Sequence, residues 1–64
     1  MIRIIKDNKV LGSNMSKDFE SYQEGNKLTI NGELYEIQET IKGYFFNEGE
    51  TIAFETLTCS VKNI

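Results

Sequence analysis

The chain has no histidine, no tryptophan and no proline, and cysteine occurs once, at Cys59. Each absence removes a class of chemistry. Without histidine the commonest general base and the commonest metal ligand are gone. A single cysteine excludes an intrachain disulfide and the cysteine-rich zinc sites. Long hydrophobic runs are missing as well: Tyr44-Phe45-Phe46 is among the longest, far short of the roughly 18 apolar residues of a membrane span. Met1-Ile2-Arg3-Ile4-Ile5 gives way at once to Lys6-Asp7-Asn8-Lys9, which leaves no apolar stretch for a signal peptide. The expectation is a cytoplasmic protein, since an unpaired cysteine fits a reducing compartment, with no membrane partner, no cofactor and no metal.

Length bounds the rest. Sixty-four residues make a single domain, 1–64, and a chain of this size buries only about 60% of the surface it exposes when unfolded. Small domains offset that deficit with disulfides, a metal or self-association. The first two are closed within one chain, so a homo-oligomer, a dimer in the simplest case, is expected. The hydrophobic fraction of 39% against 27% charged residues is a globular balance, not the composition of a disordered chain.

The net charge of −3 is unevenly distributed. Arg3, Lys6, Lys9 and Lys17 against Asp7 give the first 17 residues a net +3, while three lysines against nine acids leave the other 47 with −6. An acidic body repels phosphate, and Lys and Arg supply most of the affinity for nucleic acid. A nucleic-acid partner is therefore disfavoured, and a protein with a basic surface is the better counterpart. Ile, Lys, Asn and Glu together make up 28 residues, the bias of A- and T-rich codons, which points to a low-GC bacterium or one of its phages.

Fifteen residues are β-branched, and several stretches alternate apolar with polar residues, the pattern of half-buried strands. Ile2–Ile5 reads as a first strand, Asp7-Asn8-Lys9 as a turn, and Val10-Leu11 as a short return ended by Gly12-Ser13-Asn14. Met15, Phe19 and Tyr22 then follow at spacings of four and three, which predicts a short helix over 15–23 with Ser16 as its cap and Gly25 as its stop. Phe19 and Tyr22 could instead lie in an irregular loop over the sheet. Asn31-Gly32 between Lys27–Ile30 and Glu33–Ile37 asks for a two-residue type I′ hairpin, because both central positions need positive φ. Its register sets Ile30 against Glu33, Leu28 against Tyr35 and Lys27 against Glu36, with Leu28, Ile30, Tyr35, Ile37 and Ile41 on one side. A second hairpin is expected around Asn47-Glu48-Gly49, joining Gly43–Phe46 to Glu50–Phe54, and Leu57–Val61 forms a last strand. The fold class that follows is all-β, with one short helix at most: a five- or six-stranded antiparallel meander or a small SH3-like or OB-like barrel.

No catalytic set emerges. Cys59 has no histidine to activate it and reads as a small buried thiol. Glu33, Glu36, Glu39, Glu48, Glu50 and Glu55 match neither a calcium loop nor a glycosidase pair and read as a solvated acidic face. Gly25, Gly32, Gly43 and Gly49 are isolated, and no phosphate-cradling motif is present. The sequence predicts no enzyme.

Tyr44-Phe45-Phe46 is different. Neighbouring side chains in a strand point to opposite faces, so three aromatics in a row cannot all enter one core. Unless the sheet closes over both faces, a bulky ring lies outside, and such rings anchor interfaces. Tyr44, Phe45 and Phe46, rimmed by Glu48 and Glu50, are thus the candidate protein-binding site. The expected function is a small non-catalytic protein-binding module, an accessory or inhibitor protein of anti-defence type from a phage or mobile element. Two alternatives stand beside it. One is a nucleic-acid-binding barrel stacking bases on Tyr44, Phe45 or Tyr35 with Arg3, Lys6, Lys9 and Lys17 along the backbone. The other is a homo-oligomeric assembly subunit joined through strand edges or the aromatic face.

Overall fold

The computed structural model describes residues 1–46, 48–49, 51 and 53–64, the side chain of Phe45 excepted. The fold is all-β. Five strands, β1 (Ile2–Lys6), β2 (Lys9–Asn14), β3 (Lys27–Ile30), β4 (Glu33–Phe46) and β5 (Ala53–Asn63), form one curled sheet in the order β2-β1-β5-β4-β3.

Two tight turns give the sheet its outer hairpins. Asn31 and Gly32 hold φ of 51° and 81°, and β3 pairs with β4 as Lys27 with Glu36, Leu28 with Tyr35 and Ile30 with Glu33. That is the register the Asn-Gly pair predicts. Asp7 and Asn8 repeat the device between β1 and β2, with φ of 51° and 64° and Lys6 opposite Lys9. Aspartate and asparagine tolerate the left-handed region better than other residues with side chains.

Between the hairpins, β1 runs parallel to β5, with Ile2 beside Leu57 and Ile4 beside Cys59. This parallel pair breaks the simple antiparallel meander. It joins the two ends of the chain, and a bond from the Leu57 N–H to the Met1 carbonyl at 2.9 Å extends it. One face of the sheet is the core: Ile2, Ile4, Tyr35, Ile37, Leu57, Cys59 and Val61 are buried together, with Leu11, Phe19, Tyr22, Leu28 and Ile30 packed against them. The expected helix over 15–23 is replaced by a single 3-10 turn, Phe19–Ser21. Nine residues are too few to hold a helix without packing on one face. Met15, the first member of that face, is 70% exposed, leaving only Phe19 and Tyr22 to cover the sheet.

Strand β4 is where the sequence pattern misleads. It runs unbroken for 14 residues, but its register on β5 slips between Ile37, opposite Val61, and Glu39, opposite Ser60. The extra residue, Gln38, is a bulge, and a bulge inverts the faces of everything beyond it. Ile41, expected beside Ile37 in the core, is therefore on the other face and 58% exposed. Thr40 and Lys42 take the core-facing positions opposite Cys59 and Leu57. The second hairpin has its turn near Glu48-Gly49, where Gly49 holds φ of 82°, but the last register pair is Phe46 with Ala53. Its returning strand is described over Ala53–Asn63, with Thr51 outside it, and it continues through the expected last strand without a break. Asn47, Glu50 and Ile52 lie outside the described residues.

Truncation separates the two faces. Ile37→Ala removes a side chain that is 1% exposed and is expected to cost about 2–5 kcal/mol in urea denaturation, a large share of what a 64-residue domain holds. Ile41→Ala, past the bulge, is expected to cost less than about 1 kcal/mol. Equal losses at the two positions would mean that the bulge is misplaced.

Candidate protein-binding surface

The long strands β4 and β5 outrun their neighbours. β1 accompanies β5 only over Leu57–Ser60, and β3 accompanies β4 only up to Glu36. From Gly43 opposite Thr56 to Phe46 opposite Ala53 the hairpin continues without a flanking strand, as an arm at one end of a molecule 41 Å long and 22 Å by 17 Å across. Main-chain bonds from the amino-terminal residue steady its base: the Met1 amine donates to the Glu55 carbonyl at 2.9 Å.

On this arm Tyr44 is 70% and Phe46 63% exposed. Two positions apart, they share a face, and past the bulge that face is the one that carries Thr40 and Lys42 and, across the pair, Leu57, Glu55 and Ala53. The rings thus extend the core face beyond the point where there is chain enough to cover it. Phe45 pairs with Phe54 through its backbone, and its side chain lies outside the described residues. Of the expected acidic rim, Glu48 is exposed at the turn and Glu50 lies outside the described residues. Glu55, opposite Tyr44 and exposed, joins the surface at a position the sequence reading left in the general acidic face.

An apolar groove of about 450 Å³ lies beside the arm, lined by Met1, Met15, Phe19, Ala53 and Phe54, with Lys17 and Glu55 at its margin. Its far wall is the 15–21 segment. The Lys42 ammonium sits 5.9 Å from the centre of the Phe19 ring and holds that segment to β4 by a cation–π contact.

The other candidate groups are structural. Cys59 is fully buried in the core, where desolvation pushes its thiol pKa up and keeps it protonated. Tyr35 is 7% exposed and its hydroxyl donates to the Glu33 carboxylate at 3.0 Å. That bond, more than burial, raises the phenol pKa. It belongs to the core and is not available to stack on a base. Glu36 pairs with Lys62 at 3.6 Å on the outer face. Among the described residues no cluster of acids and cysteine is arranged to hold a metal, and no helix is long and apolar enough to cross a membrane. Comparison with protein-family models, with curated proteins and with solved structures gives no match.

The buried thiol has a pH signature. Its folded-state pKa lies above the unfolded value of about 8.5, so its contribution to stability is complete below that pH and is lost as pH rises through the folded value. Stability measured by urea denaturation is expected to fall from about pH 8.5 upward, and Cys59→Ala should flatten the first part of that limb. Thiol labelling of the native protein should proceed only as fast as the fold opens; rapid labelling at neutral pH would contradict the assignment.

Proposed function

We propose that this chain is a small non-catalytic protein-binding module whose recognition surface is the core-side face of the β4–β5 arm. Tyr44 and Phe46 are its anchors, Glu48 and Glu55 its acidic rim. The observation that carries this reading is the joint exposure of Tyr44 and Phe46 on one face of an unflanked hairpin. Val10, Leu34 and Ile64 are exposed too, but Tyr44 and Phe46 adjoin on one face, and a contiguous apolar patch, unlike scattered residues, marks an interaction site. Aromatic residues ringed by charge are also the usual composition of interface hot spots. The rim and the overall charge of −3 favour a partner with a basic surface. The A/T-rich composition agrees with an accessory or inhibitor protein of anti-defence type, acting in a bacterial cytoplasm on behalf of a phage or mobile element.

The placement of Lys6 and Lys9 supports this choice over nucleic acid. β1 runs parallel to β5, so the Lys6–Lys9 turn lies toward the Asn63 end of the molecule, away from the arm that begins at Ala53. Lys6 and Lys9, two of the cations a single-strand groove would need beside the rings, are drawn away from them, while Lys17 stays on the groove beside the arm.

Tyr44→Ala and Phe46→Ala are each expected to leave stability within about 0.5 kcal/mol of the parent. Each should weaken capture of the protein partner from the source cell by about 2 kcal/mol or more, roughly 30-fold. Glu48→Lys should slow association and make it less sensitive to salt. Wild-type capture by both aromatic variants would refute the assignment.

A further inference from the structure

The arm exposes a strand edge as well as a face. Beyond the bulge, β4 has β5 on one side and no described strand on the other. Which backbone groups point outward follows from the bonds on the far side of the pair. The Leu57 N–H is given to Met1, and the Glu55 carbonyl accepts from the Met1 amine. Leu57 and Glu55 therefore turn their backbone groups away from β4, and in an antiparallel ladder their partners Lys42 and Tyr44 turn theirs away from β5. Alternation adds Thr40 and Phe46. Four residues thus present an N–H and a C=O in a row along the free edge, with no proline in the chain to interrupt it.

From this edge we infer that a second copy of the chain pairs with the first, β4 to β4, antiparallel and centred on Gly43. The inference rests on the arm being an interaction surface and names one occupant for its edge. Two-fold symmetry about an axis through the sheet requires each residue to meet one of the same parity, and only edge-facing residues can exchange bonds. Centring on Gly43 sets Thr40 against Phe46 of the second copy and Lys42 against Tyr44 of the second copy. Every outward N–H and C=O of the four residues is then used; centring one residue away in either direction strands some of them. The register is also chemically self-consistent. Lys42 lies beside a tyrosine rather than another lysine, so no like charges are set opposite each other, and Thr40, the smallest side chain on that face, lies beside a phenylalanine. The residue at the axis, where strands approach to about 4.5 Å between Cα atoms, is the one without a side chain. The perpendicular axis keeps the two core-side faces on the same side. Tyr44 and Phe46 of both copies therefore merge into a single aromatic surface, one that a lone copy presents only in half.

Cross-linking tests the register directly. A side chain at position 43 would meet only the Thr56 hydroxyl, at an ordinary 3.6 Å, so Gly43→Cys is accommodated, and the native Cys59 is buried and does not compete. At the two-fold axis the paired Cα atoms fall within disulfide reach, so oxidised Gly43→Cys is expected to form a linked dimer at least about tenfold faster than Ile41→Cys, which faces residue 45 of the second copy. Sedimentation of the unmodified chain from about 1 μM to about 1 mM is expected to show a monomer–dimer equilibrium. Lys42→Pro, which removes an outward N–H and no bond to β5, should shift that equilibrium to monomer with the β-sheet circular dichroism retained. A monomer throughout the range, or equal cross-linking at 41 and 43, overturns the dimer. Neither result touches the partner-capture assay, whose dependence on Tyr44 and Phe46 stands or falls separately. A dimer that survives Lys42→Pro with the fold intact also overturns the inference.

Discussion

The pairing of β4 with β5, and the single slip in it at Gln38, is the constraint from which the rest of this molecule follows. With 11 register pairs it is the longest ladder in the sheet, and it holds Ile37, Leu57, Cys59 and Val61 in the core. Below the slip, β4 buries Tyr35 and Ile37 and accepts β3. Above it the faces are exchanged: Ile41 goes to solvent, Thr40 and Lys42 turn toward Phe19 and Tyr22, and Tyr44 and Phe46 follow on the same side. One inserted residue therefore decides which aromatic rings of the arm lie on the core side, and with them the character of the exposed surface.

Much of this could be read from the chain, and the parts that could not share a cause. Asn31-Gly32 dictates its hairpin down to the residue because the turn is local: two positions of positive φ leave only one register for their neighbours. That an aromatic ring of 44–46 would lie outside was legible from alternation, but Tyr44 and Phe46 are exposed for another reason: they are on the core-side face, where β4 and β5 outrun the elements that would cover them. The bulge was not legible. Ile41 continues the apolar alternation of Tyr35 and Ile37, and nothing at Gln38 marks an inserted residue. The parallel union of β1 with β5 depends on residues more than 50 positions apart, Ile2 and Leu57, and no turn encodes it. In the 15–23 segment the apolar spacing suits a helix, but three apolar residues supply too little contact, and Phe19 and Tyr22 are held by the sheet in a 3-10 turn instead. For the candidate surface, the sequence singled out Tyr44, Phe45 and Phe46 together, and only the structure shows Tyr44 and Phe46 exposed on one face. The Glu55 contribution was not legible, because only the cross-strand register brings it beside Tyr44.

Taken together, these features describe a scaffold with little interior chemistry and one unusual end. Its cysteine is sealed, Tyr35 is tied to Glu33, and Lys62 pairs with Glu36 across strands on the outer face. The arm brings together two adjoining exposed rings, an acidic turn, and a row of backbone groups with no described strand beside them. In our reading face and edge serve together, the edge joining two copies and the face meeting another protein.

The inverted register of β4 is tested most directly by Hα–Hα nuclear Overhauser effects in solution, which are strongest across the closely spaced pairs of an antiparallel ladder. With a bulge at Gln38, contacts should appear between Thr40 and Cys59, Lys42 and Leu57, and Tyr44 and Glu55. If they appear instead between Glu39 and Cys59 and between Ile41 and Leu57, β4 has no bulge, Tyr44 and Phe46 belong to the other face, and the account of the surface fails.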